Sequence, residues 1–263
     1  MKKSTLSGRT ALVTGASSGL GADFARHLAA AGAHLILTAR RLDALESLAA
    51  EIRSRSPETK VAVIAQDLSV PDAVDILAEA IGSRGLQVDI LVNNAGYGAY
   101  GAFDEIPWDK ERTMLNLDIA ALVSATKVFS AGMKARAWGR ILQIASIGAF
   151  QPSPLYASYS AAKAFVLSYG IAVNHELKGT GVSCTVLSPG VTATEFLKVA
   201  EQKPTLYQRT MMMTSPAVVR CGLKALSRQR VAAVPGFGNK AAAFLMRFLS
   251  RSLAASLAEA TMR

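Results

Sequence analysis

A tyrosine followed four residues later by a lysine, in the run Tyr159-Ser160-Ala161-Ala162-Lys163, is the pair in this 263-residue chain best suited to moving a proton. Positions i and i+4 share one face of a helix, so the spacing predicts a phenol and an ammonium side by side. A free tyrosine has a pKa of about 10, too high for ready proton exchange at neutral pH. A neighbouring cation stabilises the phenolate and lowers that value, which makes the pair a candidate acid/base. None of the other tyrosines has a lysine four residues on.

A second run bears on ligand binding. Thr14-Gly15-Ala16-Ser17-Ser18-Gly19-Leu20-Gly21 stands between an apolar, β-rich stretch at Thr10–Thr14 and a helical pattern at Leu20–Ala31. Glycines at such a junction permit a sharp turn and close approach of the backbone to a pyrophosphate. The helix N-terminus then offers free N–H groups and a favourable dipole. The spacing is G-x-x-x-G-x-G, not the G-x-G-x-x-G of the two-domain dehydrogenases.

The elements that must position these groups follow from periodicity. Candidate strands are Thr10–Thr14, His34–Ala39, Val61–Gln66, Asp89–Asn93, Arg140–Ala145 and Val182–Leu187, with Val231–Pro235 as a seventh. Most are nearly continuous apolar runs, as expected when helices cover both faces of a sheet. Helical patterns such as Leu20–Ala31 and Leu42–Arg53 alternate with them, which predicts an α/β fold with a doubly wound parallel sheet. Ser69-Val70-Pro71-Asp72 reads as a helix start, with a cap, a first-turn proline and a capping-box carboxylate. Asn239–Ala260 reads as one or two amphipathic helical segments.

Composition narrows the function. About half the residues are hydrophobic and 18% are charged, enough to bury a sizeable core. The formal charge of +10 raises nucleic acid or an anionic membrane as partners, but the 29 basic residues form no block of five or six. A nucleotide cofactor accounts for part of the excess, and nucleic-acid binding is not expected. His27, His34 and His175 show no metal-ligand spacing, so no metal is expected. Cys184 and Cys221 fit buried core thiols in a reducing compartment. No uncharged apolar run reaches 18 residues and no signal-peptide pattern opens the chain, so a cytoplasmic location is expected.

The glycine run and the Tyr159–Lys163 pair together resemble the signatures of the short-chain dehydrogenase/reductase superfamily, and the resemblance extends over residues 8 to about 195. It implies a seven-stranded Rossmann sheet and, as is often so in the family, a homodimer or homotetramer; the sequence shows no internal repeat and no low-complexity linker, so one domain spanning residues 1–263 is expected. The resemblance implies cofactor contacts at Gly15, Ser17, Ser18, Gly19, Leu20 and Gly21. An NAD-binding member would carry Asp or Glu at the end of the second strand. Here the strand ends Ala39-Arg40-Arg41, and an arginine suits a 2′-phosphate, so NADP(H) is favoured through Arg40. Ser18 departs from the basic residue that many NADP-using members carry before the second motif glycine. Asp67-Leu68 matches the residues flanking the adenine, though Asp67 also fits a plain turn former. Asn94 and Gly96, in Asn93-Asn94-Ala95-Gly96, match the element that steadies the sheet and lines the cofactor groove.

The same resemblance implies the rest of the site. Ser146, 13 residues before Tyr159, matches the serine that bonds the substrate oxygen, though it also fits a helix cap. Asn116 matches the helix asparagine that anchors a water and relays protons to the lysine. Lys163 would also bond the nicotinamide ribose. Val191 and Thr194, in Pro189-Gly190-Val191-Thr192-Ala193-Thr194, match the residues that grip the carboxamide. The function implied is transfer of hydride between NADP(H) and a carbonyl or alcohol substrate, with an NADP(H)-binding regulator and an NAD-dependent alcohol dehydrogenase as the alternatives. Specificity is expected in a substrate loop at about 191–227, where Met211-Met212-Met213 and Phe196, with Tyr97, Phe103 and Phe150 elsewhere, point to an apolar substrate or to core filling. The C-terminal extension at about 239–263, with Arg247, Arg251 and Arg263, fits either a membrane surface or packing on this chain or a subunit.

Overall fold

The computed structural model describes residues 5–203 and 205–262; Arg263, named above among the C-terminal arginines, lies outside them. Six strands form one parallel sheet: β1 (Thr10–Thr14), β2 (His34–Ala39), β3 (Val61–Ala65), β4 (Ile90–Asn93), β5 (Gly139–Ile144) and β6 (Val182–Leu187). Two further strands, β7 (Thr192–Ala193) and β8 (Met213–Thr214), pair with each other beside it. A short β9 (Ala232–Ala233) completes the main sheet, whose order is β3-β2-β1-β4-β5-β6-β9. The boundaries fall within a residue or two of the apolar runs, except at β9, which keeps only the middle of Val231–Pro235.

Alternation within these runs splits the core into two layers. Ala11 and Val13 of β1 and Leu35 and Leu37 of β2 face α1 (Gly19–Ala30) and α2 (Leu42–Arg55), where Phe24, Leu28, Leu45 and Ile52 are buried. Leu12, Ile36 and Leu91 face the other way. There they meet α3 (Ala73–Gly82) and, beyond α4 (Trp108–Leu115), α5 (Leu122–Ala135), through Leu77, Ile81, Phe129 and Met133. Each such side chain contributes about 1.5–3 kcal/mol on leaving water.

α4 and α5 are joined by a π-helical segment, Asn116–Ala121. The continuous helix Trp108–Ala135 is long and apolar enough, by length and composition alone, to cross a membrane. Its buried stripe packs against α3, β4, β5 and α6 (Ala157–Glu176). The remaining helices are α7 (Phe196–Val199), α8 (Leu206–Met211), α9 (Ser215–Ser227), α10 (Phe237–Leu245) and α11 (Arg251–Met262).

The expected helix start at Ser69 needs correction. Asp67 Oδ1 accepts from Ser69 N at 2.9 Å and from Ser69 Oγ at 2.7 Å, so the serine belongs to a turn. Asp72 takes a left-handed conformation, φ 58°, and α3 begins at Ala73.

Candidate active site

The C-terminal ends of β1, β2, β4, β5 and β6 open into one cleft of about 490 Å³. That is the edge where open parallel sheets bind ligands. At one end lies the glycine loop. Gly15 has φ +65°, and a Cβ there would meet Ala95 Cα at 2.9 Å. A Cβ on Gly21 would collide with Gly15 O, so Gly21 lies behind the loop and lets α1 close onto it. Asn94 holds the loop from below, its Nδ2 donating to Thr14 O at 2.9 Å, while Asn94 N and Ala95 N donate to Thr14 Oγ1 at 3.0 and 2.9 Å. Ser18 at the N-cap of α1 makes no side-chain cap bond, so the first-turn N–H groups face the cleft without a side-chain acceptor. Such a cradle fits a dinucleotide pyrophosphate.

Ser17, Ser18, Gly19, Leu20, Arg40, Asp67, Leu68, Asn94, Gly96, Val191 and Thr194 all line the same cleft. Asp67 shapes its turn and also borders the cleft. Arg40 is exposed at the rim. Arg41 reaches back over the loop, its guanidinium 3.4 Å from both the carbonyl and hydroxyl oxygens of Ser17. Two guanidinium groups therefore border the end of β2.

At the other end of the cleft stand Ser146, Tyr159 and Lys163. Ser146 Oγ accepts from Gly148 N at 3.1 Å, capping a short 3₁₀ turn, and it lines the cleft together with Tyr159. The Tyr159 ring is flanked by Tyr156 and Phe196, with centroids 5.6 and 5.3 Å away. The lysine is not free: Nζ donates to Ile144 O at 3.2 Å and lies 2.8 Å from Asp118 Oδ2. Both partners are buried, with side-chain exposures of 6% and 0%.

Two expectations are corrected here. The first concerns Asn116, which is exposed, while Asp118 lies in the interior beside Lys163. Residues two apart do not share a helical face. The buried stripe of this helix runs Met114, Asp118, Leu122, Ala125, Phe129, Met133. That stripe is legible in the sequence as steps of three and four, and Asn116 falls off it. The second concerns the phenol. Lys163 Nζ is 5.6 Å from the Tyr159 ring centre, but burial first, and then the Asp118 carboxylate, hold the phenol above its ordinary value, with the Ser146 hydroxyl acting the other way. The lysine's charge is neutralised by Asp118 instead of acting on the phenol alone.

The apolar end of the cleft also differs. Tyr97 and Phe196 line it, joined by Leu197, Val199 and Met262. Met211, Met212, Met213, Phe103 and Phe150 do not. Phe103 is 80% exposed, and Met213 packs against the core beneath Gly236. α9, within the expected substrate loop, packs on α1 and the sheet. Met262, far along the chain, returns because α11 is tied down by Tyr100 Oη donating to Met262 O at 3.3 Å and Thr205 Oγ1 donating to Thr261 O at 3.0 Å.

A buried triad braces the strands beneath the site. Asn93 Nδ2 donates to Gln143 Oε1 at 3.0 Å, and both amides donate to Thr126 Oγ1, at 3.1 and 2.8 Å. Cys184 is buried, which pushes its thiol up to about 12 and leaves it unreactive.

The family model for short chain dehydrogenase matches residues 9–205. The very-long-chain 3-oxoacyl-CoA reductase of Pyrenophora tritici-repentis (strain Pt-1C-BFP) is 35% identical over 195 residues, 73% of this chain and 57% of that protein. The 17-beta-hydroxysteroid dehydrogenase type 3 of Homo sapiens is 34% identical over 194 residues, 73% of this chain and 61% of that protein. The match thus spans about three-fifths of the length of these relatives. A short-chain dehydrogenase from Sphingobium yanoikuyae, solved in complex with NADPH, superimposes with a TM-score of 0.81 at 28% identity, covering 95% of this chain and 99% of that one. With the glycine cradle, the parallel sheet and the Tyr159–Lys163 pair in one cleft, the chain belongs to the short chain dehydrogenase family.

Proposed function

We propose that this chain is one NADP(H)-binding catalytic domain, an oxidoreductase that passes hydride between the cofactor and a predominantly apolar carbonyl or alcohol substrate. The observation that carries the reading is the placement of Tyr159, Ser146 and Lys163 at one end of a cleft whose other end is a pyrophosphate cradle. When bound, the cofactor supplies or accepts the hydride. The chain's own groups manage the oxygen. Ser146 Oγ–H and Tyr159 Oη–H hold the substrate carbonyl, and Tyr159 donates the proton as the oxygen becomes an alcohol. Oxidation runs the same steps backwards, with the phenolate accepting the proton. Val191 and Thr194 orient the carboxamide, and Tyr97, Phe196, Leu197, Val199 and Met262 exclude water around the reacting carbon.

Substrate class follows from that apolar wall and from the 3-oxoacyl and hydroxysteroid names of the relatives. The test is NADPH consumption across 3-oxoacyl thioesters, steroid ketones and short polar ketones. Turnover confined to the apolar members is expected; turnover of the polar ketones alone contradicts the assignment. A protein that binds NADPH and turns over nothing would instead be a regulator.

Arg40 and Arg41 select the 2′-phosphate. Replacing both by alanine should raise KM for NADPH about 10- to 100-fold, since a charge-assisted hydrogen bond contributes about 1.5–3 kcal/mol. KM for NADH should stay nearly constant, and an equal rise for both cofactors would remove the arginines from that role.

The chain is further read as cytoplasmic and homo-oligomeric. α10 buries Asn239 and Ala243 but leaves Phe237 and Phe244 exposed at 88% and 56%, with Phe248 beyond it at 72%. An apolar stripe of that kind calls for a cover, and a second copy of the chain provides it. Phe244→Asp with Phe248→Asp should lower the mass measured by light scattering. Retention by anionic phospholipid vesicles, lost in the same variant, would assign the stripe to a membrane surface instead.

A further inference from the structure

We propose that Asp118 is a positioning residue that clamps Lys163 and cancels its charge beside Tyr159, so that the site is built to give a proton to a carbonyl rather than to take one from an alcohol. The inference rests on the acid/base role proposed for Tyr159 and adds a residue to it.

The geometry is specific. Asp118 Oδ2 lies 2.8 Å from Lys163 Nζ, and Oδ1 accepts from Tyr97 N at 3.2 Å. The carboxylate is fully buried, and a Cβ on Gly96 would come within 2.8 Å of Oδ1, so the missing side chain at Gly96 is what makes room for it. The wider turn of the π segment, Asn116–Ala121, contains the residue. π turns occur where a helix must present a side chain out of regular register, often at functional sites.

The charges facing this cluster come from every side. α6 contributes Tyr159 and Lys163. The end of β5 contributes Ser146 and the carbonyl of Ile144. The loop after β4 contributes Tyr97, whose phenol is held above its ordinary value by burial and then by Asp118, with Arg40 opposing and Asp67 adding. The net effect at Tyr159 is one cation paired with one carboxylate, which removes the pull of a lone cation toward the phenolate. Burial holds Asp118 itself above the usual carboxylate range, with Lys163 pulling it back. A lysine facing a neutral amide instead would leave its charge free to favour the phenolate.

Carbonyl reduction needs the phenol: its O–H bond breaks, the proton goes to the substrate oxygen, and solvent later restores it. Alcohol oxidation needs the phenolate. A charge-neutral pair next to the ring therefore keeps the reducing form populated to higher pH.

The direct test is the ultraviolet difference titration of tyrosinate, taking wild type minus Tyr159→Phe to isolate one phenol, without substrate or cofactor. In an Asp118→Asn background the Tyr159 titration should fall by about one pH unit or more, the scale on which a charge within 4–6 Å moves a pKa. The alkaline limb of kcat/KM for reduction should fall with it. Asn116→Ala should move neither. No shift in Asp118→Asn, or the same shift in Asn116→Ala, overturns the inference. Should Asp118→Asn fail to fold, the wild-type titration decides: Tyr159 ionising at or below the ordinary phenol value of about 10 overturns it. Turnover that survives Tyr159→Phe would defeat the underlying reading instead, which keeps the two failures apart.

Discussion

Tyr159→Phe should lower kcat by about 10³-fold or more, near the upper part of the range for a lost general acid, while NADPH binding stays within twofold. Phenylalanine keeps the ring that packs against Tyr156 and Phe196 and removes only the hydroxyl. The fold should therefore survive, and the loss should appear in kcat, because the hydroxyl acts on charge that develops as the carbonyl is reduced. Steady-state NADPH oxidation and calorimetric titration of the cofactor separate the two effects. An unchanged kcat would remove Tyr159 from the chemistry; a matching loss of cofactor affinity would make it a binding residue.

Lys163→Met should inactivate the protein and also destabilise it, by about 3–5 kcal/mol at neutral pH, the scale for breaking one side of a buried ion pair. The partner left behind, Asp118, is fully buried, and methionine offers its carboxylate nothing. The pH dependence identifies the cause. Asp118 is already raised by burial with Lys163 opposing, so removing the lysine raises it further. A folded-state pKa above the unfolded value favours the fold while the group is protonated. The penalty in Lys163→Met should thus be small below the unfolded carboxyl value of about 4 and grow as pH rises above it. Melting temperatures at acid and neutral pH check this. Adding Asp118→Asn to Lys163→Met should recover much of the stability and none of the activity. A loss independent of pH would place the cause in packing rather than charge.

The extent to which these features were legible depended on how local each signal is. A four-residue spacing on a helix fixes a face, so Tyr159 and Lys163 emerged together. The apolar runs of β1, β2 and β6 declared a sheet covered on both sides because every second residue is buried in either layer. Asn116 has the expected residue type but the wrong helical phase. The charged residue at 118 sits four beyond Met114 and four before Leu122, and a carboxylate on an apolar stripe is the mark of a buried partner. Ser69 and Asp72 have the composition of a capping box, but Asp67 captures the serine first. Met211–Met213 look like a flexible apolar wall, yet pairing of β8 with β7 turns the segment toward Gly236 and Gly238. Met262 joins the cleft because Tyr100 Oη donates to its carbonyl and Thr205 Oγ1 donates to that of Thr261, tertiary bonds that no local pattern encodes.

The central claim, hydride passage across a cleft whose proton comes from Tyr159, is tested most directly with NADPH deuterated at one face of C4 of the nicotinamide and an apolar ketone. Mass spectrometry of the product alcohol should find one deuterium on the carbinol carbon from one labelled face and none from the other, since Val191 and Thr194 would fix the ring's orientation. An alcohol carrying no deuterium from either face, or NADPH oxidised without any alcohol formed, would contradict the account.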